Sequence, residues 1–143
     1  MIAVDTNVLI YAHRADSPFH QAAVAAMDRL ANSGQPWCVV WQCVHEFVAV
    51  ATNPKIYRPP STLEQCISEI ENWLRCPTFR CIAEGPTHWA NLERLLREGR
   101  VQGPLVHDAR IAAVCLQHGI ESLWSVDRDF SRFPALVVKN PLL

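Results

Sequence analysis

Short apolar runs alternate along this chain with segments whose apolar residues recur at helical spacing, and this alternation restricts the fold more than any other feature. Ile2–Asp5, Trp37–Val40, Phe79–Ile82 and Leu123–Val126 read as strands, with Leu136–Val138 as a shorter fifth. Thr6 to Tyr11 turns into a helix at once. Ser17-Pro18 offers an N-cap and a first-turn proline to a helix carrying Phe19, Ala22, Ala23, Ala26, Met27 and Leu30, which Gly34 stops. Val44, Phe47, Val48 and Ala51 mark the next helix, ended by Asn53-Pro54, and Lys55–Pro60 reads as a loop. Ser61-Thr62-Leu63-Glu64 matches a capping box for a helix whose apolar face continues through Ile67, Ile70 and Leu74. Gly85-Pro86 opens a helix striped by Trp89, Leu92, Leu95 and Leu96. Gly103-Pro104 precedes another, carrying Ile111, Ala112, Val114 and Cys115 and ended by Gly119. Strands alternating with helices predict an α/β fold, its largely parallel sheet covered on both faces.

Composition narrows the function classes. The chain has 143 residues, enough for one core and not two. Thirteen Lys+Arg oppose 14 Asp+Glu, a formal charge of −1, which excludes coating of nucleic acid or anionic membrane by bulk charge. Asp5 interrupts the first apolar stretch, so no signal-peptide core is expected, and no apolar run is long enough to span a membrane. The expected location is the cytosol, with the six cysteines as free thiols. Cys38/Cys43 and Cys76/Cys81 each have an offset of five, a poor geometry for zinc, and read as small buried hydrophobes.

In open α/β sheets ligands bind beyond the carboxyl ends of the strands. Asp5 closes the first predicted strand and Asp127 follows the fourth. Asp108 begins a helix, and Glu46 lies early in the helix after the second strand. Each has an ordinary reading. Asp108 suits a helix first turn, an effect of about 0.3–1 kcal/mol. Asp127 and Asp129 suit turns, and Glu46 suits a solvated face. Asp5 fits such a reading least, because an acid ending a buried strand needs a partner. If the sheet gathers these carboxylates, they cannot all stay ionised unaided, so either some are protonated or a cation compensates them. An all-oxygen set selects Mg2+ or Mn2+.

The same residues carry a family resemblance. Val4-Asp5-Thr6-Asn7-Val8-Leu9-Ile10 resembles the opening of PIN-domain ribonucleases. Val44-His45-Glu46-Phe47 resembles their second acidic element, and Val106-His107-Asp108-Ala109-Arg110-Ile111-Ala112 the third. Trp124-Ser125-Val126-Asp127-Arg128-Asp129-Phe130 resembles the fourth, and Phe133-Pro134 through Asn140-Pro141-Leu142 a tail like that of VapC-type toxins. The resemblance runs in order along nearly the whole chain. It implies a single three-layer α/β/α PIN-like domain over residues 1–143, with Asp5, Glu46, Asp108 and Asp127 as catalytic, metal-binding acids and Asp129 as a secondary one. Ser125 stands where the family often has threonine, and Thr6 and Asn7 match residues supporting the first aspartate. For Thr6 and Asn7, capping of the following helix is an equal alternative.

The implied activity is a Mg2+- or Mn2+-dependent endoribonuclease using a metal-activated water. The resemblance further implies the toxin of a toxin–antitoxin pair, a small antitoxin covering the acidic cleft, and a homodimer. Arg14, Arg110 and Arg128, with His13 and Arg132, lie near the motifs and are candidates for phosphate contact, although each also suits an ordinary surface role. His107 suits tuning of Asp108 or a structural role. Tyr57, Trp37 and Trp41 offer rings for base stacking and equally suit the core. Two other functions fit the pattern less well. A phosphomonoester hydrolase needs a second acid two residues after Asp5, where Asn7 stands, and a lysine, for which only Lys55 and Lys139 exist. A binding-only PIN module is expected to have lost part of an acidic set that is complete in this chain.

Overall fold

The computed structural model describes residues Met1–Leu143. The elements run β1 (Ile2–Val4), α1 (Thr6–His13), α2 (His20–Asn32), β2 (Trp37–Val40), α3 (Trp41–Ala51), α4 (Leu63–Arg75), β3 (Phe79–Ile82), α5 (His88–Glu98), α6 (Leu105–Gln117), β4 (Ser122–Trp124), a 3-10 turn over Arg128–Arg132, and β5 (Val138–Lys139). The strands form one sheet, order β3-β2-β1-β4-β5, with every pairing parallel. Central β1 pairs Ala3 with Cys38 of β2 on one side and with Leu123 of β4 on the other. Its residues are buried throughout, as a strand covered on both faces requires. α1 packs on α2 and α3, α3 on α4, and α5 on α6. The result is the expected three-layer α/β/α arrangement. No helix is long and apolar enough to cross a membrane.

Strand order positions the site. The chain leaves β1 for β2 and β3 on one side, then returns to lay β4 on the other, so the direction of winding reverses between β1 and β4. The carboxyl ends of those two strands flank the resulting crevice, where ligands bind in folds of this kind. The backbone N–H of Asp5 extends the pairing one residue further by donating to the Trp124 carbonyl at 2.9 Å.

Several boundaries differ from the sequence expectation, each for a physical reason. β4 is Ser122–Trp124 rather than Leu123–Val126: Ser125 N still donates to the Lys139 carbonyl of β5, but Val126 N leaves the ladder for Asn7 Oδ1. β5 is Val138–Lys139 rather than Leu136–Val138, since Leu136 ends a turn that closes on Phe133. Ser17 does not cap α2. Its hydroxyl accepts from Phe19 N at 3.1 Å in a turn, and the helix starts at His20. Trp89 leaves the α5 stripe and is 65% exposed. On α4 the buried face is Cys66 and Trp73, while Ile67 and Leu74 are exposed. Trp73 is drawn inward by Phe47, with ring centroids 4.9 Å apart.

The α4 capping box also sits one residue later than expected. Thr62 Oγ1 accepts from Gln65 N and Gln65 Oε1 accepts from Thr62 N, while Ser61 is buried against His13 and Arg14. Thr62→Ala is therefore expected to cost about 1 kcal/mol in urea unfolding. Glu64→Gln should stay within about 0.5 kcal/mol; equal losses would return the box to Ser61 and Glu64.

Candidate functional site

Asp5 is the N-cap of α1, and the fold surrounds its carboxylate with donors. Oδ1 accepts from Thr6 N at 2.8 Å, and Oδ2 accepts from Ser125 Oγ at 2.7 Å and Asn7 Nδ2 at 3.2 Å. The Cys43 thiol lies 3.6 Å from Oδ1. Asp5 is 6% exposed, and burial raises its pKa in spite of the Ser125 and Thr6 hydrogen bonds, which pull the other way. Burial, followed by the charge of Asp5, pushes the Cys43 thiol well up, so it stays protonated and can donate.

Ser125 joins the first acid to the fourth. Its hydroxyl donates to Asp5 and accepts from Asp127 N at 3.0 Å. Asn7 also donates to Ser125 Oγ at 3.2 Å and accepts from Val126 N at 3.4 Å. These bonds fix the loop after β4 to the start of α1 and hold Asp127 beside Asp5. Asp127 also caps the 3-10 turn, its Oδ1 accepting from Asp129 N at 2.8 Å, so the turn-forming reading and the site reading hold together.

Glu46 is oriented through both oxygens. Oε2 accepts from Thr6 Oγ1 at 3.0 Å and Oε1 from Gln42 Nε2 at 3.2 Å. Gln42 Nε2 also reaches the His107 carbonyl at 3.4 Å and so ties α3 to the residue before Asp108. Gln42 Oε1 is buried with no protein partner. No protein donor holds the Asp108 carboxyl. Burial first, then the charges of Asp127, Asp5, Asp129 and Glu46, pushes its pKa up to about 7.

Asp5, Glu46, Asp108 and Asp127 line one cavity of about 280 Å³, together with Thr6 and Asn7. Asp108, Asp127 and Asp129 come closer still, with carboxylate oxygens within 4.8 Å of one another. Asp129 stands at the exposed edge of this cluster and does not line the cavity. No lysine, arginine or histidine lines the cavity. A larger cavity of about 670 Å³ opens at the other end of α1, around Arg14 and Ser61. The smaller one is the candidate site, because several carboxylates converge there and two have raised pKa values.

The basic residues divide. Arg14 is bound to Asp16 and to the Pro59 carbonyl, Arg110 pairs with Glu84, and Arg132 donates to the Gly99 carbonyl. All three have partners within the chain, and Arg110 and Arg132 meet theirs at the surface. His13 bonds Ser61 away from the acids. Arg128 follows Asp127 and lines a shallow groove with Phe130 and Pro134. Trp37 lies in the core and Trp41 is 41% exposed at the start of α3, whereas Tyr57 enters the acidic cavity. Gln42 escaped the sequence reading, although its spacing of four from Glu46 on one helix face was an available signal.

Residues 2–136 match the PIN domain family. The chain is 32% identical to ribonuclease VapC43 of Mycobacterium tuberculosis over 142 residues, covering 99% of this chain and 96% of that protein. It is 34% identical to ribonuclease VapC31 of the same organism, covering 95% of each. A toxin–antitoxin complex from Klebsiella pneumoniae contains a chain of the same fold, with TM-score 0.61 at 20% identity, covering 99% of this chain and 98% of that one. The chain belongs to the PIN domain family, among its VapC ribonucleases.

Proposed function

We propose that this protein hydrolyses RNA phosphodiester bonds at the acidic cavity, with Asp5, Glu46, Asp108 and Asp127 holding Mg2+ or Mn2+ and Asp129 assisting at the rim. The observation that carries the reading is the gathering of these carboxylates at the β1/β4 crevice with no basic side chain among them. The donor set fits such an ion: it consists of carboxylate oxygens, and the nearby sulfur of Cys43 is held as a thiol rather than a thiolate. When bound, the ion supplies charge stabilisation at the phosphate and a water of lowered pKa.

The side chains divide the remaining work. Asp108, free of protein donors, is available as a ligand. Glu46 is held at both oxygens by Thr6 and Gln42 and keeps a fixed orientation. Ser125 and Asn7 keep Asp5 and Asp127 in register. A carboxylate of the set accepts the proton of the attacking water, and in-line displacement leaves a 5′-phosphate and a 3′-hydroxyl.

Purified protein should cut RNA with Mg2+ or Mn2+ and stop when EDTA is added, and end-labelling should find 5′-phosphates. Cleavage indifferent to EDTA would remove the metal from the proposal. In the cell, this reading makes the protein the cytosolic toxin of a toxin–antitoxin pair, restrained by a small antitoxin over the acidic cavity and active as a homodimer.

A further inference from the structure

Half of the acidic cavity has no part in holding a cation. Ile10, Tyr11, Val50, Tyr57 and Ile111 form an apolar wall facing the carboxylates. Most of this wall comes from helices, but Tyr57 is delivered by the loop after α3, and that loop is tied down. The Arg14 guanidinium lies over the Tyr57 ring, 4.3 Å from its centroid. Arg14 is itself immobilised: Nε and Nη2 donate to the two oxygens of Asp16 at 2.9 and 2.7 Å, Nη2 also to the Pro59 carbonyl at 3.0 Å, and Nη1 to Ser61 Oγ at 3.2 Å. Its side chain is only 11% exposed. Tyr57 N donates to the Asn53 carbonyl at 3.0 Å, fixing the backbone as well. A tyrosine braced from outside by a buried cation, with the rest of its ring in a cavity, is preorganised for a flat ligand.

We propose that this apolar half is a nucleobase subsite, in which Tyr57, backed by Arg14, stacks the base next to the scissile phosphate. The inference rests on the nuclease reading and adds to it a residue that holds the substrate beside the acids. The cavity, about 280 Å³, has room for a splayed base beside the carboxylates. Bases can be splayed and stacked on aromatic rings in single strands, loops and bulges, not within a duplex. Stacking tolerates any base, since each has a π-face, so the subsite reads no particular letter.

The test uses the full chain and a single-stranded oligoribonucleotide with a mapped cleavage position. Tyr57→Ala and Tyr57→Leu should each lower kcat/KM about tenfold or more, and Tyr57→Phe, which keeps the ring, should recover most of that loss. The Mg2+-induced rise in melting temperature should be the same in all three, showing that the fold and the acids are intact. An abasic residue, placed in turn on each side of the cleaved bond, should at one position slow the parent protein by a similar factor and abolish its advantage over Tyr57→Ala. Equal cleavage by parent and Tyr57→Ala, or an unchanged ratio on both abasic substrates, would overturn the subsite and leave the apolar wall to a protein partner. Failure of the parent protein to cut any RNA with Mg2+ would overturn the nuclease reading, and the subsite with it.

Discussion

Asp108→Asn is expected to lose RNA cleavage by at least about 10²-fold and yet to melt at a higher temperature than the parent when both are free of metal. The two effects have one origin. Asp108 is pressed by burial and by the charges of Asp127, Asp5, Asp129 and Glu46, and no protein donor offsets that pressure. An amide of the same shape removes the repulsion and breaks no hydrogen bond. It also removes a carboxylate oxygen, proposed above as a metal ligand, from the tightest group of acids. Asp5→Asn is a harsher change, because Thr6 N and Ser125 Oγ both donate to that carboxylate and an amide nitrogen would face one of them. Calorimetry of the two metal-free proteins, with RNA cleavage in parallel, checks the prediction. A melting temperature below the parent's would show that Asp108 makes a favourable contact absent from this structure.

The stability gap between Asp108→Asn and the parent should widen as pH rises from 5 to 8. The Asp108 carboxyl is pushed up to about 7 in the folded chain, above its ordinary 3.8, by burial and then by neighbouring carboxylates. Its proton is therefore held more tightly folded than unfolded. The stability linked to that proton is complete below about pH 4 and is lost as pH climbs through about 7. Burial raises the Asp5 carboxyl in the same direction. His13, lowered chiefly by burial, acts in the opposite sense, but it is common to both proteins and cancels in the difference. Screening at the partly exposed Asp108 limits the effect to about 1–2 kcal/mol, or about 3–8 °C. Saturating Mg2+ should reverse the order at pH 8, since on the proposed assignment the ion binds the parent, with all four acids, more tightly than the variant. A gap that stays constant with pH would remove the crowding argument.

The strands and the acids were legible in the sequence because they depend on local pattern. Ile2–Val4, Trp37–Val40 and Phe79–Ile82 are uninterrupted apolar runs, and the carboxylates follow or face their ends at fixed offsets. What was not legible depends on competition between distant groups. Ile67 and Leu74 have the same spacing as Cys66 and Trp73, and the rings of Phe47 and Phe79 beneath α4 favour burial of the second pair. Val126 looks like the continuation of a strand until Asn7 takes its N–H. Arg110 looks free until Glu84, on a separate loop, arrives beside it. Tyr57 suits the core and the site equally until the fold sets it at the acidic cavity with Arg14 behind it. The sequence pattern places each element, and tertiary contacts then determine what each side chain does.

The order in which the strands enter the sheet has a consequence for synthesis. Asp127 sits behind β4, the fourth strand made and yet the immediate neighbour of the first. Translation proceeds at about 5–20 residues per second, and a growing chain that has emerged only as far as β3 carries Asp5 and Glu46 while Asp108 and Asp127 are still to come. Such a chain lacks the complete acid set, so the ribosome and the message are not exposed to a finished nuclease until the last quarter of the polypeptide has been released and folded back beside its beginning.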